Sequence, residues 1–320
     1  MSMEWLGDVW AVLQDGLFES VVQPVAFSLG FGGILEQAFE ATGWLMVGVL
    51  QLLIMVLLLR PLERWRAVEP VADPAAVRTD MLYTFIHRLG LFRLAMFFLL
   101  DPVLQSLLGE LRSQGLGTWH LDALWPGVTD IPWVAFVLYL VVFDALAYGL
   151  HRAQHHWSWW WALHAVHHSQ RQMTMWTDNR NHVLDDMIHA VIWVLVAQAI
   201  GMGPGQFVAL IALTQLSESF QHANLRCSFG RWGERLWVSP RFHRLHHAIG
   251  LGHEHASGVL GGHNFGVLLP WWDLLFGTAR FDDPVTPTGI RDQVEAGRDY
   301  GRGWWAQQRL GLVRCWEAFK

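Results

Sequence analysis

Long apolar runs separated by short charged stretches set the rhythm of the first half of the chain. Three of them, Gly43–Leu59, Phe85–Leu108 and Ile131–Leu150, have about the length that a helix needs to cross a ~30 Å hydrocarbon core. A fourth, Met187–Leu216, is apolar but interrupted by Gly201-Met202-Gly203-Pro204-Gly205. Proline and clustered glycine stop a helix, so this region predicts two half-length helices joined by a tight turn in or near a bilayer. Val21–Leu35 is weakly apolar and broken by Pro24, which predicts an interfacial or re-entrant helix. The expected layout is an N-terminal interfacial segment (1–42), transmembrane helices (43–150), a histidine-bearing region (151–280) that contains the membrane hairpin 187–216, and a C-terminal cytosolic tail (281–320).

Arginine placement orients this layout, because cytoplasmic flanks carry the positive excess. Arg60, Arg64 and Arg66 follow the first run, whereas the segment before it holds Glu4, Asp8, Asp15, Glu19, Glu36 and Glu40 and neither lysine nor arginine. The N-terminus is therefore expected outside, and the chain from His151 onward, with Arg152, Arg171, Arg180 and the arginines after Arg226, on the cytoplasmic side. The first residues lack a basic region followed by a short apolar run, so no cleavable leader is expected. Tryptophans at 157, 159–161, 271 and 272 suit aromatic belts at the membrane boundary.

Composition agrees with a multi-pass membrane protein: 52% of the 320 residues are hydrophobic and only 16% charged. Two cysteines are too few for a disulfide scaffold, an iron–sulfur cluster or a four-cysteine zinc site. A net charge of −6 argues against nucleic acid as a partner.

Histidine is the anomaly. Fifteen of the 17 histidines lie between His151 and His263, about a third of the chain. His151 and His155 are four apart; His164, His167 and His168 fall at i, i+3 and i+4; and His243, His246 and His247 repeat that triplet. Residues three and four apart share one helix face, so each group aims its imidazoles at a common point. Imidazole suits iron, zinc or copper. Eight such rings exceed what one octahedral ion holds, which points to two ions. His182 and His222 are added as candidate ligands because of their surroundings. A lone pair of this kind would arise by accident about as often as not, but two triplets and a pair together do not. Metal-bound imidazoles pass their second N–H to a carboxylate or carbonyl. Asp144, Tyr148, His151 and His155 lie on one helical stripe, and a carboxylate inside an apolar run is costly without a task, so Asp144 is expected to support the ligands. Tyr148, Asp185, Asn224, His263, Asn264 and Asp273 are candidates for similar support. His253 and His255 are expected to be solvated or to belong to a lid.

Taken in order, His151–His155, His164–His168, His182, Phe220-Gln221-His222-Ala223-Asn224, Ser239–His247, Asn264–Gly266 and Trp271–Thr278 resemble the fatty acid hydroxylase and sterol desaturase superfamily of membrane di-metal oxygenases. The resemblance covers roughly Asp144–Thr278. It implies an all-α integral-membrane bundle of about four spanning helices, one pair being the broken hairpin, capped by a cytosolic region whose histidines hold two iron ions, with zinc able to replace them in purified protein. It further implies O₂-dependent hydroxylation or desaturation of a C–H bond in a fatty acyl, sterol or related lipid. Many members have aspartate where this chain has His263. The sequence shows no GxGxxG after a strand, no cysteine cluster and no HPGG segment, so electrons are expected from a separate cytochrome, ferredoxin or reductase. Arg231, Arg235, Arg241 and Arg244 are candidates to attract an acidic partner, and they suit lipid headgroups equally. The competing class is a histidine-rich membrane metal transporter or sensor, which would place ionisable residues at mid-bilayer rather than beyond the ends of the runs. Substrate identity and oligomeric state are not written in the sequence.

Overall fold

A computed structural model describes residues 3–282 and 285–320, with side chains from Gly7 onward. Glu4, used above for orientation, therefore lies outside the described side chains, and two residues of the 281–320 tail lie outside the described backbone. The fold is mostly helical; the only sheet among the described residues is a hairpin of Glu254–Ala256 with Val259–Leu260.

Among the described residues two helical stretches are long and apolar enough to cross a membrane, Gly32–Trp65 and Pro132–Gln154. They contain the first and third predicted runs. The second, Phe85–Leu108, is not one helix. Gly90, at φ +80°, ends the Pro74–Arg88 helix, and Leu91–Leu99 leaves it at 53°. A further break at Leu100 starts Asp101–Ser113, which carries a proline in its first turn. Counting the bent pair as one crossing gives up to three spans. The region predicted as a hairpin contains two helices, Val183–Ala199 and Pro204–His222, joined through Ile200–Gly203, and neither arm is by itself a candidate span.

The chain divides into two compact units. The first comprises the residues up to Ile54 together with Phe85–Leu108. In it Arg88 donates to Gln51 at 3.0 Å, and the Arg93 guanidinium lies 3.2 Å from the centre of the Trp44 ring. Gly48 allows the close approach: a Cβ there would overlap the Arg88 carbonyl. Gly48→Ala is accordingly expected to destabilise the protein by about 1–3 kcal/mol, the usual cost of overpacking, read as a lowered thermal midpoint in detergent.

The second unit, Met55–Thr84 with Gly109–Lys320, carries the histidines. Its core is built by Ala135, Tyr139 and Phe143 of the Pro132–Gln154 helix, Ala197 and Leu210 of the hairpin arms, and Leu268 and Leu269. Tyr139 reaches the Gly201 carbonyl at 3.3 Å, and the amides of Trp119 and Leu121 bond the Ala199 and Ile200 carbonyls. These contacts tie the broken turn to the Pro132–Gln154 helix and to the segment that precedes it. A buried Asp80 accepts from Arg180 at 2.6 Å and from Gln170, and so anchors the segment between the first histidine triplet and the hairpin. The segment expected as a C-terminal tail (281–320) contains a helix, Trp304–Glu317, packed along Ser158–His168.

Candidate metal centre

Two short helices carry the triplets. Ser158–His168 delivers His164, His167 and His168. Pro240–His246 delivers His243 and His246, with His247 as its C-terminal cap. The Ser-Pro start of the second helix has a local cause: the Ser239 hydroxyl accepts from the Phe242 amide at 3.1 Å, and Pro240 occupies the first turn, where a missing N–H costs nothing. His151 and His155 end the Pro132–Gln154 helix, and His222 ends the second hairpin arm.

Nine of the ten predicted ligands converge, in two groups. His151, His155, His164, His168 and His246 form one; His167, His222, His243 and His247 form the other. Within each group one nitrogen per residue lies within 4.8 Å of all the rest, and every member is buried. Contrary to the expectation that each HxxHH triplet aims at one point, each is split between the groups, since its i, i+4 pair shares a line on the helix while the remaining histidine sits beside it. The groups abut, with the His168 and His247 rings stacked at 4.4 Å.

Hydrogen bonds at the rim decide which nitrogens face inward. Nδ1 of His151 donates to the Phe265 carbonyl at 2.9 Å, of His155 to Gly261 at 3.1 Å, of His246 to His263 at 2.8 Å and of His222 to Glu218 at 2.8 Å. His164 points Nδ1 at Asp185, 3.3 Å away. A proton held at Nδ1 leaves Nε2 as a lone pair. Inside, those lone pairs meet other imidazoles: His222 Nε2 lies 2.9 Å from His243 Nε2 and 3.1 Å from His167 Nε2, and His168 and His246 approach at 3.1 Å through Nε2. One lone pair accepts one N–H well, so His222 cannot satisfy two neighbours. His155 Nε2 and His164 Nε2 are buried with no hydrogen-bond partner, as is Nδ1 of His167, His168, His243 and His247. A cation in each group resolves this frustration. Two nitrogens bound ~2.1 Å from one ion at a right angle would lie ~3.0 Å apart, close to the spacing observed.

Electrostatics point the same way. Burial pushes His167, His168, His243 and His247 well below the ordinary histidine pKa, and the neighbouring histidines push further in that direction. Burial brings His246 down to about 3, although its bond to the His263 carbonyl opposes the shift. At neutral pH these rings are uncharged donors, the form that a metal binds.

His182, the tenth candidate, is elsewhere. Its Nε2 bonds the Gln308 carbonyl at 2.9 Å and its Nδ1 accepts from the Leu184 amide at 3.1 Å, so it caps Val183–Ala199 with both nitrogens engaged. The supporting residues also differ from expectation. Asp144 touches no histidine: it accepts from the amides of Leu268 and Leu269 and from the Trp272 indole, at 2.7–3.1 Å. Asp273 takes the Phe265 and Gly266 amides and the Thr278 hydroxyl, and Tyr148 meets the same Thr278 at 3.0 Å. Asn264, in a left-handed conformation at φ 62°, bonds Phe242 and Arg280 backbone. These four hold the 264–278 segment so that the Phe265 carbonyl aims at His151. Asn224 clamps the Val68–Glu69 backbone instead. The His263 ring bonds the Leu251 carbonyl, and only its own carbonyl serves the centre. Asp185 alone among the seven touches a converging imidazole through its side chain.

Several residues at the centre carried no such signal in the sequence. Phe265 lays its ring 5.2 Å from that of His155 and 5.7 Å from that of His246. Trp161 lies 4.9 Å from His155, and His253, buried rather than solvated, stacks on it at 7°. Trp160 donates to Asp185 at 2.6 Å. Trp160 and Trp161 were assigned to a membrane belt because a run of tryptophan has no periodicity that separates a site wall from an interface. Of the four candidate docking arginines, Arg244 is buried against Glu69 at 2.7 Å and Arg241 reaches the Phe281 carbonyl; Arg231 is exposed and Arg235 partly so.

Asp144→Ala follows as a test of these positions. It strands three buried donors, so the thermal midpoint is expected to fall by an amount equivalent to about 3 kcal/mol or more while metal content stays unchanged. Metal loss at equal stability would return Asp144 to direct ligand support.

Residues 136–278, which bear both histidine groups, match the fatty acid hydroxylase family. By that match the histidine-bearing part of the chain is similar to the fatty acid hydroxylase family. Among its relatives are an ornithine lipid hydroxylase, OlsE, of Rhizobium tropici, 28% identical over 165 residues, and an alkylglycerol monooxygenase of Caenorhabditis elegans, 27% over 158. A Delta(7)-sterol 5(6)-desaturase of Gibberella zeae is 25% identical over 181. These alignments take in 50%, 48% and 55% of this chain but only 47%, 29% and 50% of the relatives' own lengths. No solved structure matches the chain.

Proposed function

We propose that this chain is a membrane-bound di-iron oxygenase that hydroxylates, or desaturates, a C–H bond of a lipid with O₂ and electrons from a separate donor. One observation carries the reading: nine buried imidazoles converge in two abutting groups. His151, His155, His164, His168 and His246 would hold one ion and His167, His222, His243 and His247 the other. Iron suits such a set because it changes oxidation state, which zinc does not, and when bound it supplies the O₂ chemistry that an unactivated C–H bond requires. Overall, R–H, O₂, two electrons and two protons give R–OH and water; desaturation with the same inputs gives an alkene and two waters.

The chain's own residues have definable tasks. Carbonyls at 218, 261, 263 and 265 and the Asp185 carboxylate hold protons on the outer ring nitrogens and keep the inner lone pairs aimed. Phe265 and Trp161 wall the first group with aromatic rings that exclude water. The three relatives are all named for lipids, and a lipid would arrive through the bilayer that the Gly32–Trp65 and Pro132–Gln154 helices cross. The arginine distribution favours a cytoplasmic centre with the N-terminus outside, and Arg231 and Arg235 are the exposed cations left for an acidic electron donor.

Protein purified anaerobically is expected to contain about two iron ions per chain, the number the two groups provide for, and to consume O₂ when given reductant and lipid. Lipids from cells carrying the gene should include species with one oxygen atom gained or two hydrogen atoms lost. Absence of iron together with absence of lipid-dependent O₂ uptake refutes the reading.

A further inference from the structure

The Trp304–Glu317 helix is amphipathic in the wrong sense for a helix that borders water. Its inner face is polar. Gln307 accepts from Tyr83 at 3.0 Å, and Gln308 donates to Tyr83 and to the Asn181 carbonyl while accepting from the Val183 amide at 2.8 Å. Its outer face is aromatic and aliphatic: Trp305 is 80% exposed, Leu312 50% and Trp316 67%, with Phe319 just beyond the last turn at 66%. Those positions, with Arg309 between them, follow the 4-3-4-3 spacing of one helical stripe. A helix at the edge of a soluble domain presents the reverse pattern.

The stripe also has a position relative to a bilayer. The Pro132–Gln154 span ends three residues before Trp157, which stacks on Trp159 at 6.4 Å, and Trp159 stacks on Phe319 at 6.0 Å. The aromatic face therefore continues from the end of a spanning helix, the level at which tryptophan is favoured because its ring is apolar and its N–H polar. Arg302, Arg309 and Lys320 are exposed around it, and cations there meet lipid phosphates.

From this we infer that the Trp304–Glu317 helix lies in the plane of the membrane surface, with Trp305, Leu312, Trp316 and Phe319 in the headgroup and upper acyl layer. The inference rests on the bilayer reading of the Pro132–Gln154 helix and is independent of the oxygenase chemistry. Its consequence reaches the metal centre. The opposite face of the same helix holds His182 through the Gln308 carbonyl, and His182 caps the helix that carries Asp185. Contact with lipid thus braces the carboxylate behind His164.

Photo-crosslinking in the full-length protein decides the matter without reference to turnover. p-Azidophenylalanine is placed singly at Trp305, Leu312 and Trp316, and at Glu295 for background, and the protein is reconstituted in phospholipid nanodiscs and irradiated. The expected result is an intact mass raised by one phospholipid, with a yield several-fold above that at position 295, at two or more of the three stripe positions. Dimer bands would assign the face to a second copy. Unmodified monomer, or a lipid yield no higher than at 295, would assign it to water. Any of these three results overturns the inference. Three separate positions guard against one variant failing to fold.

Discussion

Replacing His247 by alanine is expected to take one of two bound ions from the protein and to lower turnover by more than about 100-fold, above the 10–100-fold typical of residues that only support ligands. His247 is one of just four imidazoles in the second group, and its Nε2 lies 3.2 Å from His243. Three rings remain, whereas the first group keeps all five. His182→Ala provides the contrast. It removes a helix cap, which costs about 0.5–2 kcal/mol, and strands the Gln308 carbonyl, so the protein melts earlier but retains both ions. Metal analysis alongside thermal unfolding reads the two effects separately. If His182→Ala lost an ion as His247→Ala does, the ten-ligand set read from the sequence would be reinstated.

That pair marks how far the sequence could be read. The triplets were legible because spacings of three and four residues are properties of a single helix and need no tertiary knowledge, but their division between two groups was not, since each was expected to aim at one point. His182 has no partner at helical spacing, so its surroundings in sequence said nothing about which way its ring turns. Asp144 was placed on the correct stripe but given the wrong task. Its partners, Leu268, Leu269 and Trp272, lie more than 120 residues away, and no local pattern encodes which distant backbone a carboxylate will meet. The N-F-G and W-D-x-x-F-G-T elements were visible as motifs, yet their purpose, holding the Phe265 carbonyl opposite His151, appears only once both ends are in place. The second apolar run is not one continuous helix because Gly90 and the Asp101-Pro102 pair break helices more strongly than hydropathy continues them. Polar composition concealed the C-terminal helix, since its glutamines face inward and its tryptophans outward.

Asp185→Asn carries the second large expectation. The carboxylate is buried and accepts from both sides: Gln154 at 2.8 Å on each oxygen, the Trp160 indole at 2.6 Å and His164 at 3.3 Å. Burial by itself would raise its pKa; the hydrogen bond from His164 and the nearby imidazoles outweigh that and hold the group below the usual carboxylate range. An ionised Asp185 therefore faces donors only. Asparagine replaces one acceptor oxygen with an NH₂ that points at other N–H groups, so His164 loses the partner that fixes its tautomer and Gln154 loses half of its bond. Metal affinity of the first group is expected to fall by about 10–100-fold, the usual effect of removing a partner behind a ligand, while the second group, which Asp185 does not touch, binds as before. Chelator competition resolves this as one weakened and one unchanged step. Asp185→Ala should weaken the same step and also lower stability by about 3 kcal/mol through its stranded donors. Equal weakening of both steps would mean that Asp185 supports the fold of the whole centre rather than the aim of His164.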